Sequence, residues 1–417
     1  MRSIRLPMYG LLVLLVLASA PAQAETAQST ESSVKAGERF DEVWRMVRDR
    51  FYDRELHGLD WDAVRQKYRP QSLAAGSERA LTDVINAMLG ELKASHLGYY
   101  TPLDTAYYDL ADIFSRALHN QLRSAFPGGE VSYTGIGVFT RRIDGKTFVS
   151  AVLNGLPADK AGVLVGDEIL AADGAPFQPV QSFELKAGRK VALEIRRTPG
   201  TAPQRLDVMP ERIEPNEAFL TAMRASTRVI DRGGVKIGYI HVWSYARGDY
   251  QELLEEQIST GPLKDADALI WDLRDGWGGA DPAYLDIFNA RAPTMLTTDR
   301  GGDKSVVNAK WRKPAALLIN GGTRSGKEVL TYGFKKYGYG EVIGTRTSGA
   351  LLAARAFLLS AGGLLLVPVA DVEVDGERLE SRGVTPTIEV DRKIPYAAGA
   401  DPQLERAVEV LARSVGG

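Results

Sequence analysis

The stretch "LLINGGTRSGKEVLTYGF", residues 317–334, fixes the class of fold. Leu317 to Ile319 is an apolar run of strand character. Gly321 and Gly322 open a turn. From Gly326 onward, Leu330 and Phe334 recur at helical spacing. A buried strand, a glycine turn and an amphipathic helix make the repeating unit of a layered α/β domain. Three chemistries fit the turn. Gly321 to Lys327 spells GxxxxGK, most of a phosphate-binding loop. That pattern needs Ser or Thr after the lysine to hold Mg²⁺, and Glu328 stands there and would repel a phosphate. Ser325 could instead be a nucleophile presented on a sharp strand-to-helix turn. Or it could simply cap the helix.

The same alternation extends outward from about residue 228. "KIGYIHV" (236–242) reads as a strand, "DYQELLEEQI" (249–258) as a helix, and "DALIWDLRD" (267–275) as a buried strand. "EVIGTRT" (341–347) is a short strand, "GLLLVPVADVEV" (363–374) a hairpin or bent strand, and "DPQLERAVEVLAR" (401–413) a closing amphipathic helix. Residues 213–417 are therefore expected to form an α/β core. Residues 131–212 have a different texture, with short strands, turns such as Asp144-Gly145, and the alternating run "KVALEIRR" (190–197). Residues 37–126 are helical in pattern, as in "RFDEVWRMVRDRFY", with Phe40, Val43, Trp44, Val47 and Phe51 on one face.

The N-terminus carries Arg2 and Arg5, an apolar run from Leu11 to Leu17, and the small-residue pattern Ala22-Gln23-Ala24. That is the pattern of a secretory signal peptide over 1–24, too short for a membrane span. It predicts export to the periplasm or beyond, without stable membrane insertion. Polar residues 25–36 are expected to be a flexible tether. The 417 residues carry a net charge of -2, which gives no drive toward nucleic acid. No cysteine is present, so disulfides, cysteine nucleophiles and cysteine metal sites are excluded. The four histidines are scattered and none forms a zinc-type pair, so no metal or other cofactor is expected. His57 and His241 read as packing or surface residues.

Within 131–212, "TGIGV", "LPADKAGVLVGDEILAADG" and "KVALEIRR" resemble a PDZ domain. A glycine turn at Thr134, Gly135, Ile136 and Gly137 would offer backbone N–H groups to a carboxylate, and a free strand edge would add a peptide strand. A small β domain bracing its neighbours is the alternative. A PDZ-like module between a helical segment and an α/β domain resembles the C-terminal processing (tail-specific) serine proteases. The tricorn core and the retinoid-binding modules are relatives. The resemblance covers about residues 37–395. It implies an α/β fold with a crotonase/Clp-protease-like ββα core, an N-terminal helical segment and an inserted PDZ-like β domain.

Four local matches carry the resemblance. "DALIWDLRDGWGGADP" (267–282) matches the family's Asp-Leu-Arg-x-x-x-Gly-Gly turn. This makes Gly278 and Gly279, together with Gly326, the expected oxyanion hole. "NGGTRSGKE" (320–328) matches the nucleophile turn, with Ser325 as nucleophile. Many members carry a lysine base after a Gly-x-x-Thr-x-Gly turn, but here "GTRTSGALLAAR" (344–355) has Ala350 in that register. Lys327 reads as solvated or packed on the turn. "ELKASHLGYY" (91–100) resembles the tricorn-type Ser-His segment, and "RLESRGVTPTIEV" (378–390) the Glu-x-x-Gly-Val segment. The resemblance thus implies His96 as base, with Ser95 and Glu380 completing a relay. The implied activity is a serine endopeptidase acting on protein or peptide substrates with free C-termini. The rival reading is a non-catalytic peptide- or hydrophobic-ligand-binding protein on the same scaffold.

Overall fold

Six strands form the central sheet in the order Arg228–Arg232, Val235–His241, Ala268–Asp272, Ala315–Ile319, Glu341–Gly344, Ile388–Glu389. The computed structural model describes residues 20–289, 291, 293, 295–307, 310–360 and 362–416. The first two strands are antiparallel and all later pairings are parallel. Every residue of Ala268–Asp272 and Ala315–Ile319 is buried. This is why these strands read as continuous apolar runs: helices cover both faces of the sheet. Ile240, Trp271, Leu317 and Ile319 pack against helices Pro215–Ser226, Asp249–Ser259 and Gly326–Lys336. Ile237, Ile270, Leu318 and Ile343 face the opposite way, against Ala407, Val408 and Leu411 of helix Pro402–Gly416.

The carboxyl ends of adjacent parallel strands collect functional loops in open α/β sheets. Here Asp272 and Ile319 end neighbouring strands, and Leu273 N donates to Leu318 O at 3.0 Å just past the end. The loops that follow, 273–281 and 320–325, therefore emerge side by side.

The N-terminal helices are Ala20–Arg50, Trp61–Leu73 and Glu78–Gly90. Asp60 and Ser77 cap the second and third, accepting from Ala63 N and Ala80 N. Phe40, Val43, Val47, Ile85 and Met88 share a core with Leu365 and Val367 of strand Leu364–Ala370. The helical segment is thus not a free-standing unit. Strand Gly98–Tyr100 pairs antiparallel with Leu364–Leu366, and Leu364–Ala370 pairs in turn with Ala353–Leu358. Residues 25–36, expected to be a flexible tether, instead lie within the first helix. The stretch has no proline or glycine to break a helix that continues into the packed Phe40 face. Residues 1–19 of the expected signal peptide lie outside the described residues. Among the described residues, no helix is long and apolar enough to cross a membrane.

Between these parts stands a small antiparallel sheet in the order Val138–Ile143, Lys146–Val152, Glu168–Ala172, Val191–Arg196, Gln204–Val208. Val149, Ile169, Phe183, Leu193 and Ile195 form its own core. Asp144 and Gly145, both at positive φ, make the first hairpin turn. Tyr133–Gly135 pairs with Glu211–Ile213, so chain entry and exit are tied together at the neck. The unit also docks on the rest of the chain. Tyr396 N donates to Gly166 O and Gly399 N to Val165 O, both at 2.9 Å. Phe139 stacks on Phe219 and Trp243.

Candidate active site

Ser325 ends the turn after strand Ala315–Ile319 with φ 58° and ψ −134°, a conformation that strains any residue with a Cβ. Its side chain makes no capping bond to the helix that follows. The cap role is therefore not what holds it there. The surrounding loops impose the strain. Asn320 Oδ1 accepts from Gly322 N at 2.8 Å and from Asp275 N at 3.1 Å. Thr323 Oγ1 donates to Leu273 O at 3.0 Å. Ser325 N donates to Ala350 O at 2.8 Å. An over-determined, strained serine at a strand-to-helix turn has the geometry of a presented nucleophile.

The glycines of the neighbouring loop lie directly against it. A Cβ on Gly278 would stand 2.4 Å from Ser325 Cβ and 3.0 Å from its Oγ, and one on Gly326 would stand 2.3 Å from Ala280 N. Gly279 has φ +100°. Among the described residues, the amides of Gly278, Gly279 and Gly326 donate to no acceptor. Bare N–H groups beside a serine oxygen are what a developing oxyanion requires.

Ser95, His96 and Glu380 come together. Ser95 Oγ donates to Glu380 Oε2 at 2.8 Å, and Ser95 N donates to Oε1 at 3.0 Å. With its one proton so committed, Ser95 Oγ accepts from His96 Nδ1, 3.1 Å away. That assignment leaves His96 Nε2 unprotonated, as a base requires. Burial holds the His96 pKa down to about 4, with the Arg324 charge acting the same way and Glu380 opposing. The imidazole is therefore neutral near pH 7. Glu380 Oε2 also accepts from Leu351 N at 2.8 Å. Backbone links then run from Leu351 to Ala350 and from Ala350 O to Ser325 N. Among the described residues, Ser325 Oγ itself hydrogen-bonds to no group, His96 included. Hydrogen bonds between nucleophile and base are often loose without substrate.

Ala350, in the register where the resemblance leads one to expect a lysine, abuts Ser325 through its carbonyl and brings only a methyl group. Glu328 holds this loop. Its buried carboxylate accepts from Thr347 Oγ1 at 2.6 Å and from Gly349 N and Ala350 N at 2.7 Å. Burial raises its pKa against these bonds. The Ser-x-x-Glu spacing could have signalled this role, since it puts the carboxylate one helical turn behind the serine.

Lys327 corrects an expectation. It is fully buried and not solvated. Nζ donates to Asp275 O at 2.9 Å and Trp243 O at 3.1 Å. Burial lowers its pKa to about 7. Trp243 O also accepts from Trp277 N at 2.8 Å, and Tyr245 N donates to Gly278 O at 2.9 Å. The lysine thus pins the glycine loop from beneath.

Arg274 anchors the base of the same loop. It donates to Asp272, Asp401 and Gln403 while almost fully buried, and its charge draws the Asp272 carboxyl well below the carboxylate range against the opposing effect of burial. His241 is satisfied by Arg274 O at 2.8 Å and stacks on Trp243, while His57 bonds to Leu92 O and Tyr52. Of the expected carboxylate turn, Thr134 and Gly135 are paired in a strand with Arg212 and Glu211. Ile136 is buried and its carbonyl accepts from Ala158 N. The turn is therefore not an open loop, because the neck pairing takes up its first half.

Known proteins match this chain in the same places. Peptidase family S41 matches residues 236–390, and the tricorn protease C1 domain matches residues 35–90. Tricorn protease homolog 1 of Streptomyces coelicolor is 26% identical over 403 residues, 91% of this chain. The chain spans only 35% of that relative's length. The carboxyl-terminal-processing protease of Synechocystis is 25% identical over 400 residues, covering 89% of this chain and 86% of the relative. Among solved structures, the tricorn protease gives a TM-score of 0.55 at 19% identity, over 92% of this chain and 37% of that one. The photosystem II D1 C-terminal processing protease gives 0.50 at 21%, over 90% and 97%. These two structures speak for the fold alone.

Proposed function

We propose that this chain, a serine-type peptidase of family S41, is an exported endopeptidase that acts by acyl-enzyme chemistry, with Ser325 as nucleophile and His96 as base. The observation that carries the reading is the linked set Ser325–Ala350–Leu351–Glu380–Ser95–His96, with a methyl group at Ala350 where a lysine would serve as base. Ser325 Oγ attacks the scissile carbonyl while His96 Nε2 takes its proton. Ser95 and Glu380 stabilise the imidazolium that forms. The Gly278, Gly279 and Gly326 amides receive the oxyanion. His96 then protonates the leaving amine, and water attacks the acyl-enzyme through the same base. No step calls on a metal or cofactor.

We take the central sheet with its flanking helices as a crotonase/Clp-protease-like ββα core. We take the inserted sheet over 131–212 as a PDZ-like module that receives the free C-terminus of a protein or peptide. Its docking through Phe139 and the Gly166 loop supports communication with the core.

The rival reading, a binding protein on this scaffold, draws support from the absence of a bond between Ser325 Oγ and His96. A serine-reactive fluorophosphonate separates the two. Wild type should be labelled and Ser325→Ala should not, and only wild type should cleave an unfolded protein. Equal absence of labelling and cleavage in both would leave the binding reading standing.

A further inference from the structure

Arg324, the residue immediately before Ser325, is a half-buried cation without an anion. Among the described residues no carboxylate lies within ion-pairing distance of it, and its one hydrogen bond is a long one, Nε to Gly322 O at 3.4 Å. Partial burial of an unpaired guanidinium is unfavourable and depresses its pKa. The surroundings hold it in place all the same. Its Cζ lies 5.2 Å from the Trp277 ring centroid, a cation–π contact. Trp277 is itself fixed by a bond from Nε1 to the buried Asp109, at 3.1 Å.

Nearby charge does not neutralise it. Asp275 is the acidic group of this loop, and two other guanidiniums already share it: Arg141 at 3.8 Å and Arg392 at 4.0 Å. Arg141 reaches over from the inserted sheet and adds repulsion to Arg324. Glu328, the other carboxylate nearby, is taken up by Thr347, Gly349 and Ala350, so Arg324 keeps no carboxylate of its own beside Ser325.

The side of the site follows from the chemistry. His96 must protonate the leaving amine, so it stands on the leaving-group side of the scissile bond. Arg324 lies over Trp277, and Trp277 packs against the same apolar cluster as Tyr100, four residues after His96. Arg324 thus lies toward the segment that carries His96, and we place it on that side.

We propose that Arg324 is a specificity-determining residue that binds a substrate carboxylate on the leaving-group side of the bond to be cut. The carboxylate is either an acidic side chain just after that bond or the terminal carboxylate of a short leaving fragment. The inference rests on Ser325 and His96 acting as proposed above.

The test uses the full chain and internally quenched peptides that share one sequence. One peptide carries Glu after the cleavage site, one carries Gln there, and each is made with a free or an amidated end. Wild type should favour one carboxylate form over its neutral counterpart by about 10- to 100-fold in kcat/KM, the range of a charge-assisted bond. In Arg324→Gln that ratio should fall to near one, and in Arg324→Lys it should be partly restored. Preference for the free end identifies a terminal carboxylate, and preference for Glu identifies a side chain. Equal rates on all four peptides in wild type overturn the inference whatever the variants do. So does an unchanged ratio in Arg324→Gln. Fluorophosphonate labelling of Ser325 is read in parallel. Labelling without a charge preference removes only this inference, whereas no labelling and no cleavage removes the reading beneath it as well.

Discussion

Glu380 Oε2 accepts a hydrogen bond from Ser95 Oγ at 2.8 Å across 285 residues of sequence. The same carboxylate takes the Ser95, Leu351 and Leu352 amides. One side chain thus fixes both Ser95, which bonds to His96, and the loop whose Ala350 carbonyl receives the Ser325 amide. Glu380→Gln should cost kcat more than KM, by about 10²- to 10⁴-fold, the usual contribution of positioned acid–base catalysis. Steady-state kinetics on one quenched peptide checks this. Combined with His96→Ala, the substitution should add little further loss, because the groups act as one unit.

The pH profile follows from His96. Its folded pKa of about 4 lies below the ordinary value of 6.5. The acid limb of kcat/KM should therefore fall near pH 4, with a plateau through neutrality. Stability carries the same sign. Between about 6.5 and 4 the unfolded chain binds the proton and the folded chain does not, so stability is lost as pH falls across that window. His241, also lowered to about 4 by burial, adds in the same direction. Urea melts at pH 7, 5.5 and 4.5 should show a falling midpoint, and His241→Gln should flatten the fall.

Lys327→Met separates stability from activity. Taking an ammonium out of water costs several kcal/mol, and a carbonyl left without its donor costs about 1–3 kcal/mol. Trp243 O keeps its bond from Trp277 N, so only Asp275 O loses a partner. At pH 6, where the lysine is charged, the methionine variant should melt no lower than wild type. Its kcat should drop by about 10-fold or more because the glycine loop is no longer pinned. As pH rises from about 7 toward 10.5, the folded lysine is neutral and the unfolded one charged, so wild-type stability should gain on the variant. Differential scanning calorimetry across that range gives the answer.

Ser325 stores strain that a glycine would release. At φ 58° and ψ −134° a Cβ costs about 1–3 kcal/mol. Ser325→Gly and Ser325→Ala should both be inactive, and the glycine variant should be the more stable by about 1 kcal/mol or more in chemical denaturation. Equal stabilities would mean that the turn is not strained by its loops.

Much of the architecture was legible in the residues. Buried strands such as Ala268–Asp272 and Ala315–Ile319 announced themselves as unbroken apolar runs. The helices at 249–259 and 402–416 showed as periodic stripes. The site was legible only through short motifs, since His96 and Glu380 are far apart in sequence and nothing local shows that they meet. Lys327 could not be read this way. "GKE" after a serine looks like the exposed start of a helix, yet this helix begins facing inward, beneath a loop whose carbonyls draw the ammonium in. The pairing of Thr134 and Gly135 was hidden for a similar reason: their partners, Arg212 and Glu211, lie at the far end of the inserted unit. The helical path through 25–36 shows the limit of composition, because polar residues without helix breakers are compatible with either state.

The short pairing of Gly98–Tyr100 with Leu364–Leu366 has a consequence for synthesis. The segment bearing His96 leaves the ribosome early, but the strand that seats it and the carboxylate that orients it come near the end. Joining such distant partners pays its loop-closure entropy late in folding. Under the proposed mechanism, a chain still being made holds its serine turn before His96 is seated as a base. The order of the sequence thus acts as a timer: under this reading, hydrolytic competence arrives only with the last quarter of the polypeptide.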